Sequence, residues 1–99
     1  MHPITIVYWR DIPAQVIVGR GRRAAKAALP ERFEQAIDRA AMRAGLAGTD
    51  DYLAEWRKVE DGAADGDAEA AMTEAVRALE AGWPDERLRA AAMAGGVEA

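Results

Sequence analysis

Two short segments near the amino terminus have the composition and the period-two pattern of β-strands. Residues 4–9 are a β-branched and aromatic run, and successive side chains of a strand point to opposite faces. Residues 14–18 form a second such run, and Asp11 and Pro13 between the two runs are turn formers. We therefore predict a two-stranded antiparallel hairpin. Its first strand places Ile4, Ile6 and Tyr8 on one face and Thr5, Val7 and Trp9 on the other.

A hairpin of two strands is marginally stable alone in water, so it must pack on the rest of the chain or pair with another molecule. One face suits a layer of helices. The face that carries Trp9 is either a contact surface or a cap of the core, and the pattern leaves both open. The edge of the hairpin is a candidate contact for a protein partner or for a second copy of the chain.

The rest of the chain follows helical periodicity. Phe33 and Ile37 recur at helical spacing after Pro30, which suits a first helical turn, and Gly45 is a fitting stop. Thr49 is the expected cap of a second helix, whose apolar pattern continues to Val59. Further helices are predicted over residues 67–81 and 84–93, with a loop at 62–66. Residues 22–29 fit either a helix or an extended segment.

These elements predict an α+β fold, with an N-terminal two-stranded antiparallel hairpin packed on three to four helices. No strand is predicted after Leu46. A chain of 99 residues has room for one modest core. We predict a single domain over residues 1–94 and a flexible C-terminal tail over residues 95–99.

Composition excludes several kinds of active site. The chain has no Ser, Asn or Cys, and His2 is its only histidine. A Ser–His or Cys–His relay cannot be built from this set, and a zinc site needs about four ligands, usually His or Cys. We therefore predict no catalytic residues, no metal site and no cofactor, and the composition does not favour an enzyme.

Charge divides the chain into two halves. Residues 1–45 carry a formal charge of +4 and residues 46–99 carry −8, which gives the net −4. The halves either neutralise each other or leave the basic half free for an anionic partner. The acidic balance makes nucleic acid a poor candidate partner. No apolar run of about 18 residues and no signal-peptide pattern is present, so we predict a cytoplasmic protein with no membrane contact.

The basic residues cluster where the second predicted strand ends. Residues 19–24 formally fit the dinucleotide fingerprint G-x-G-x-x-A, but Pro30 interrupts the helix that this motif requires. The same segment can bind a phosphorylated or polyanionic ligand or an acidic protein, or it can be a solvated strand end. The candidate anion-binding or partner-binding residues are Trp9, Arg10, Arg20, Arg22, Arg23 and Lys26.

Aromatic residues elsewhere form a second candidate site. Tyr52 and Trp56 lie one helical turn apart in the predicted second helix. They are either core residues or, with others, the walls of a pocket for a ring-shaped ligand. The candidate pocket residues are Tyr8, Tyr52, Trp56 and Trp83.

Three stretches resemble a family of small bacterial proteins labelled "virulence factor": YWRDIPAQVIVGRGRRAAK at 8–26, LPERFEQAIDRAAMRAG at 29–45 and YLAEWRK at 52–58. The resemblance covers about residues 4–90. The family shares its domain with a larger staphylococcal conserved virulence factor, and its label describes a phenotype rather than a reaction. The small members are associated with genes for folate and corrinoid one-carbon enzymes, which would imply an accessory subunit.

Three functional hypotheses follow. The first is a non-catalytic interaction module that binds an anionic partner through the basic end of the hairpin. The second is a ligand-binding accessory subunit of folate or corrinoid one-carbon metabolism, in which arginines hold the anion and aromatic residues stack on a ring. The third is weak nucleic-acid binding, whose affinity would fall steeply with salt.

Overall fold

The computed structural model describes residues 1–98 and contains a four-stranded antiparallel sheet and four helices. The strands are β1 (His2–Trp9), β2 (Ile12–Val18), β3 (Ala25–Ala28) and β4 (Trp56–Ala64), and one 3-10 turn spans Gly21–Arg23. The helices are α1 (Glu31–Arg43), α2 (Asp50–Ala54), α3 (Ala68–Gly82) and α4 (Asp85–Met93). The α+β class is therefore confirmed.

The predicted hairpin forms the two central strands of the sheet, and one further strand pairs with it on each side. The strand order is β3-β2-β1-β4, so both edges of the β1–β2 hairpin are paired within the chain. The prediction that no strand follows Leu46 is wrong because β4 pairs with β1 from His2 to Trp9. Residues 25–28, left open between helix and extended, form β3 although Ala and Lys have low strand propensity. Pairing with β2 decides their conformation.

The second predicted helix is much shorter than its apolar pattern suggests. Thr49 caps it as expected, since its hydroxyl accepts a hydrogen bond from the Tyr52 amide at 3.3 Å. The helix ends at Ala54, and the Glu55 carbonyl accepts a bond from the Arg10 amide at 3.2 Å. Trp56 then lies opposite Trp9 in the sheet. The predicted loop at 62–66 is partly strand, since β4 continues to Ala64.

Trp9 does not follow the strict alternation predicted for β1. The β1–β2 pairing is irregular between Val7 and Tyr8, and Trp9 then lies opposite Ile12. Trp9 and Ile12 are both fully buried in the core. A strict alternation would have kept Trp9 on the face opposite Ile6, which is also buried. Trp9 is therefore a core residue, one of the two alternatives that its predicted position left open.

Helices close the core on one side of the sheet. α3 packs over β2 and β3, and α1 packs on β2 and on α4. Alanines allow the close approach of α1 and α4, where Ala40, Ala41, Ala91 and Ala92 are buried. Large side chains of the core come from β1, β2, α1, α4 and the α3–α4 connection: Trp9, Ile12, Phe33, Ile37, Leu88 and Trp83.

The segment after α4 makes defined contacts through residue 98. The Asp11 amide donates to the Gly96 carbonyl at 2.8 Å, and the Glu98 amide donates to Asp11 Oδ2 at 2.7 Å. Arg87 donates to both Glu98 carboxylate oxygens at 2.8 Å. Ala99 lies outside the described residues. The flexibility of residues 95–99 stays a prediction. The amides of Asp11 and Glu98, which donate in these contacts, are positions at which it can be measured.

Candidate functional site

Arg10 and Trp9, two of the predicted partner-binding residues, are held inside the fold. The Trp9 indole donates to the Tyr52 carbonyl at 2.9 Å. Arg10 has a left-handed φ of 52° and binds Glu55 through Nε and Nη2, at 3.1 and 2.9 Å. Its Nη1 donates to the Gly95 carbonyl at 3.0 Å. These partners accept one hydrogen bond from each of the three guanidinium nitrogens of Arg10, and Trp9 has no exposed surface.

Four other predicted cations remain on the surface near the start of β3. We call Arg20, Arg22, Arg23 and Lys26 the basic corner; all four are exposed. Arg20 lies 3.9 Å from Glu60 with both side chains mostly exposed, a geometry that contributes little binding energy. Within residues 1–98, the other three make no ion pair closer than 4 Å. Gly19 and Gly21 adopt left-handed φ values of 97° and 67°, so the turn itself accounts for the glycines.

A second basic surface lies between α1 and α4 and was not predicted from the sequence. The α1–α4 groove has a volume of about 310 Å³ and is lined by Arg39, Met42, Arg43, Arg89, Ala92 and Met93. Met42 and Met93 are 71% and 58% exposed, so the apolar part of the groove lining is open to solvent. Arg43 Nη2 lies 3.2 Å from the Met93 sulfur.

The three arginines of the groove have no acidic partner in the described part of the chain, where six other ion pairs occur. Arg39 and Arg43 are four residues apart in the sequence and share a helix face with Met42 nearby. That spacing is the feature of the sequence from which the basic face of α1 could have been predicted. The contribution of Arg89 required knowledge of how α4 packs on α1.

The predicted aromatic pocket is divided among three places. Tyr8 lies under the Arg57 guanidinium at 4.8 Å, and Trp83 is buried under Arg87 at 3.8 Å. Only Tyr52 and Trp56 line a common cleft, which has a volume of about 260 Å³. We call it the Tyr52–Trp56 cleft; Ala14, Ala28, Leu29, Ile37, Glu34 and Asp38 complete its lining.

Burial and nearby acids change the titration of the tyrosines. Burial, followed by the charge of Asp38, raises the pKa of the Tyr52 phenol above its ordinary value, and Glu34 acts in the same direction. Burial also raises the pKa of Tyr8, where Asp61 adds to the effect and Arg57 opposes it. Both phenols are therefore neutral hydrogen-bonding groups near neutral pH.

Neither a metal cluster nor a membrane helix occurs in the part of the chain that is described. No group of three or more His, Cys, Asp or Glu side chains is arranged to hold a metal ion among these residues. None of the four helices is long and apolar enough to cross a bilayer.

Comparison with known proteins relates the chain to a protein family. The family model described as "Virulence factor" matches residues 7–91, which include most of the sheet, all of α1 to α3 and most of α4. No curated protein and no solved structure matches the chain. The resemblance found in the three sequence stretches is confirmed, and the chain belongs to the virulence factor family.

Proposed function

We propose that the chain is a non-catalytic interaction module that binds an acidic, amphipathic segment of a protein partner in the α1–α4 groove. The observation that carries this proposal is the combination of two exposed methionines with three arginines that have no acidic partner in residues 1–98. Methionine adapts to varied apolar side chains, and arginine binds carboxylates with two parallel hydrogen bonds. An apolar strip flanked by carboxylates is the chemical complement of this groove.

The basic corner supports the same proposal as a separate contact. Its four cations are exposed and close together in the sequence, so they form a local positive surface that attracts acidic segments. Because Trp9 is buried, the corner lacks the apolar anchor that was expected beside it. We therefore assign the corner to electrostatic attraction and the groove to the main binding energy.

No observation favours the two alternative functions over this one. Arginines that would hold a folate or corrinoid anion do not line the Tyr52–Trp56 cleft, where Glu34 and Asp38 would repel it. A nucleic acid would find no aromatic side chain in residues 19–28 on which its bases could stack. The interaction module is the function that both basic surfaces support.

The test is binding of a fluorescein-labelled peptide designed as an amphipathic helix, with leucines on one face and glutamates on the other. The Arg39→Glu/Arg43→Glu/Arg89→Glu variant should bind it at least about tenfold more weakly, a loss of about 1.4 kcal/mol or more. An Arg20→Glu/Arg22→Glu/Arg23→Glu variant is matched in charge and should mainly slow association. Circular dichroism melts verify that both variants fold.

Two further experiments separate the contribution of charge to binding from the contribution of apolar contact. A Met42→Gln/Met93→Gln variant keeps the arginines and should also bind more weakly, since it removes the apolar methionine side chains of the groove lining. A peptide with serine in place of leucine should lose affinity for the unmodified protein. Equal affinity of the groove variant and the unmodified protein would overturn the proposal.

A further inference from the structure

The Tyr52–Trp56 cleft is a small, partly enclosed cavity whose walls differ from those of the α1–α4 groove. Its volume of about 260 Å³ lies near the lower limit for small-ligand sites. Its lining combines the aromatic residues Tyr52 and Trp56 with three residues of α1, and Ala14, Ala28 and Leu29 complete it. Among residues 1–98, no lysine or arginine lines it. The cleft therefore combines aromatic faces with negative charge only.

The aromatic wall is anchored to the core of the protein. Tyr52 stacks on Trp9 with ring centroids 5.5 Å apart and an angle of 29° between the planes. The Trp9 indole also holds the Tyr52 carbonyl at 2.9 Å, and Trp9 is fully buried. Trp56 meets Tyr52 edge-on, at 6.1 Å and 86°. Two rings at nearly a right angle form a corner that exists before any ligand arrives, which reduces the entropy lost on binding.

Two exposed carboxylates line the cleft without a compensating cation. Glu34 and Asp38 lie one turn apart on α1 and both line the cleft. Neither makes an ion pair closer than 4 Å with any residue from 1 to 98. Both raise the pKa of Tyr52, so their charges reach the phenol at the cleft wall. A cation in the cleft would interact favourably with both carboxylates and with the aromatic faces.

We propose that the Tyr52–Trp56 cleft binds an organic cation, a guanidinium or primary ammonium on an apolar stem. The rings attract the cation through their quadrupoles, the carboxylates pair with its N–H groups, and Leu29 and Ile37 contact the stem. Such a cation can come from two sources: a free alkylguanidine or alkylamine, or the side chain of an arginine or lysine on a partner. This site is distinct from the α1–α4 groove in both its residues and the sign of its charge.

The test follows the indole N–H signals of the three tryptophans in ¹H–¹⁵N spectra during titration with butylguanidinium. The Trp56 signal should shift in a saturable manner, and the Trp83 signal, which belongs to a residue outside the cleft, should stay constant. Butylurea has nearly the same shape without the charge and should produce no saturable shift. Acetyl-arginine-N-methylamide represents the peptide source, so binding of either cation supports the proposal and identifies which source the cleft accepts.

A Glu34→Gln/Asp38→Asn variant should bind the cation about fivefold to tenfold more weakly, because the two ion pairs are lost while the rings remain. Glu31→Gln is the matched control on the same helix, since Glu31 does not line the cleft, and should bind as the unmodified protein does. The spectra themselves show whether each variant is folded. Equal binding of butylurea and butylguanidinium, unchanged affinity of the double variant, or no shift with either cation would overturn the proposal.

Discussion

Gly96 lies directly against the ring of Trp9. A Cβ atom at Gly96 would come within 2.8 Å of Trp9 Cζ3 and 3.1 Å of Cε3, and the backbone φ of Gly96 is 93°. Trp9 is fully buried and also supports Tyr52 in the cleft wall. The segment after α4 therefore closes the core over the one aromatic residue that connects the hairpin to the cleft.

Replacing Gly96 with alanine should destabilise the fold by about 2–4 kcal/mol, since the methyl group overpacks a fixed ring and the backbone is left-handed. Gly45→Ala is the matched control: Gly45 has a φ of 73°, but a Cβ atom there would point into open space, so only the backbone cost of about 1 kcal/mol applies. Urea denaturation measures both. Equal losses in the two variants would contradict the role of the Trp9 contact.

Removing Arg10 should cost about 1–3 kcal/mol, because its guanidinium bonds to Glu55 and to the Gly95 carbonyl in a partly buried position. Arg22→Ala removes an exposed arginine of the basic corner and should change stability by less than about 0.5 kcal/mol. The two variants are compared by thermal unfolding. An Arg10→Ala protein as stable as Arg22→Ala would mean that these hydrogen bonds contribute nothing.

Glu98 should contribute stability that depends on pH. The hydrogen bonds from Arg87 hold the pKa of this carboxyl below its ordinary value. Because the folded pKa is the lower one, the stabilisation is present above about pH 4.3 and is lost as pH falls through the folded pKa. Glu98→Gln should therefore lower stability at neutral pH by less than about 1 kcal/mol, as expected for a partly exposed pair, and the difference should vanish in acid. A difference that is independent of pH would contradict the assignment.

Tyr52 should ionise above its ordinary pKa of about 10, because burial and the charge of Asp38 oppose the phenolate. In a Tyr8→Phe background, Tyr52 is the single tyrosine, and phenolate absorbance follows it alone. Adding Asp38→Asn should lower the pKa toward the ordinary value. Since the folded pKa is raised, stability is unaffected below about pH 10 and falls as pH rises through the folded pKa. An unchanged titration in the Asp38→Asn variant would show that the charge of Asp38 does not affect the pKa of the Tyr52 phenol.

Deleting residues 95–99 should destabilise the protein by about 1–3 kcal/mol, since it removes the contacts of Gly96 and Glu98 with Asp11 and Arg87. Hydrogen exchange of the Asp11 and Glu98 amides in the full chain tests the predicted flexibility directly. Protected amides together with a destabilised truncation would show a docked segment. Rapid exchange and an unchanged urea midpoint would show the flexible tail that the sequence predicts.

Local sequence signals were sufficient for three helices and for the pairing of β1 with β2. Pro30, Gly45 and the spacing of Phe33 and Ile37 predicted α1 within two residues of its ends, and α3 and α4 were predicted within one. Each of these elements has its own caps and its own apolar stripe, and neighbours within a few residues determine both. The basic corner is exposed for the same reason, since a turn with two left-handed glycines directs its arginines outward.

The candidate sites were harder to predict from the sequence, since each combines residues that are far apart in the chain. Tyr52, Trp56 and Val59 have helical spacing, yet Trp56 belongs to β4 because the chain there pairs with β1 some fifty residues earlier. Glu34 and Asp38 are exposed acids of α1, and only the tertiary fold places them in one cleft with Trp56 at the start of β4. In the same way, Arg89 joins Arg39 and Arg43 only when α4 packs on α1.

The sequence by itself determined the α+β class, the β1–β2 hairpin, α1, α3 and α4 to within one or two residues, the absence of Ser, Cys and Asn, and membership of the virulence factor family. Only the tertiary structure decided the four-stranded sheet, the burial of Trp9, and the grouping of residues into the α1–α4 groove and the Tyr52–Trp56 cleft. The physical reason is range: periodicity and capping act within a few residues, whereas strand pairing and a register shift are set by hydrogen bonds between segments far apart in the chain.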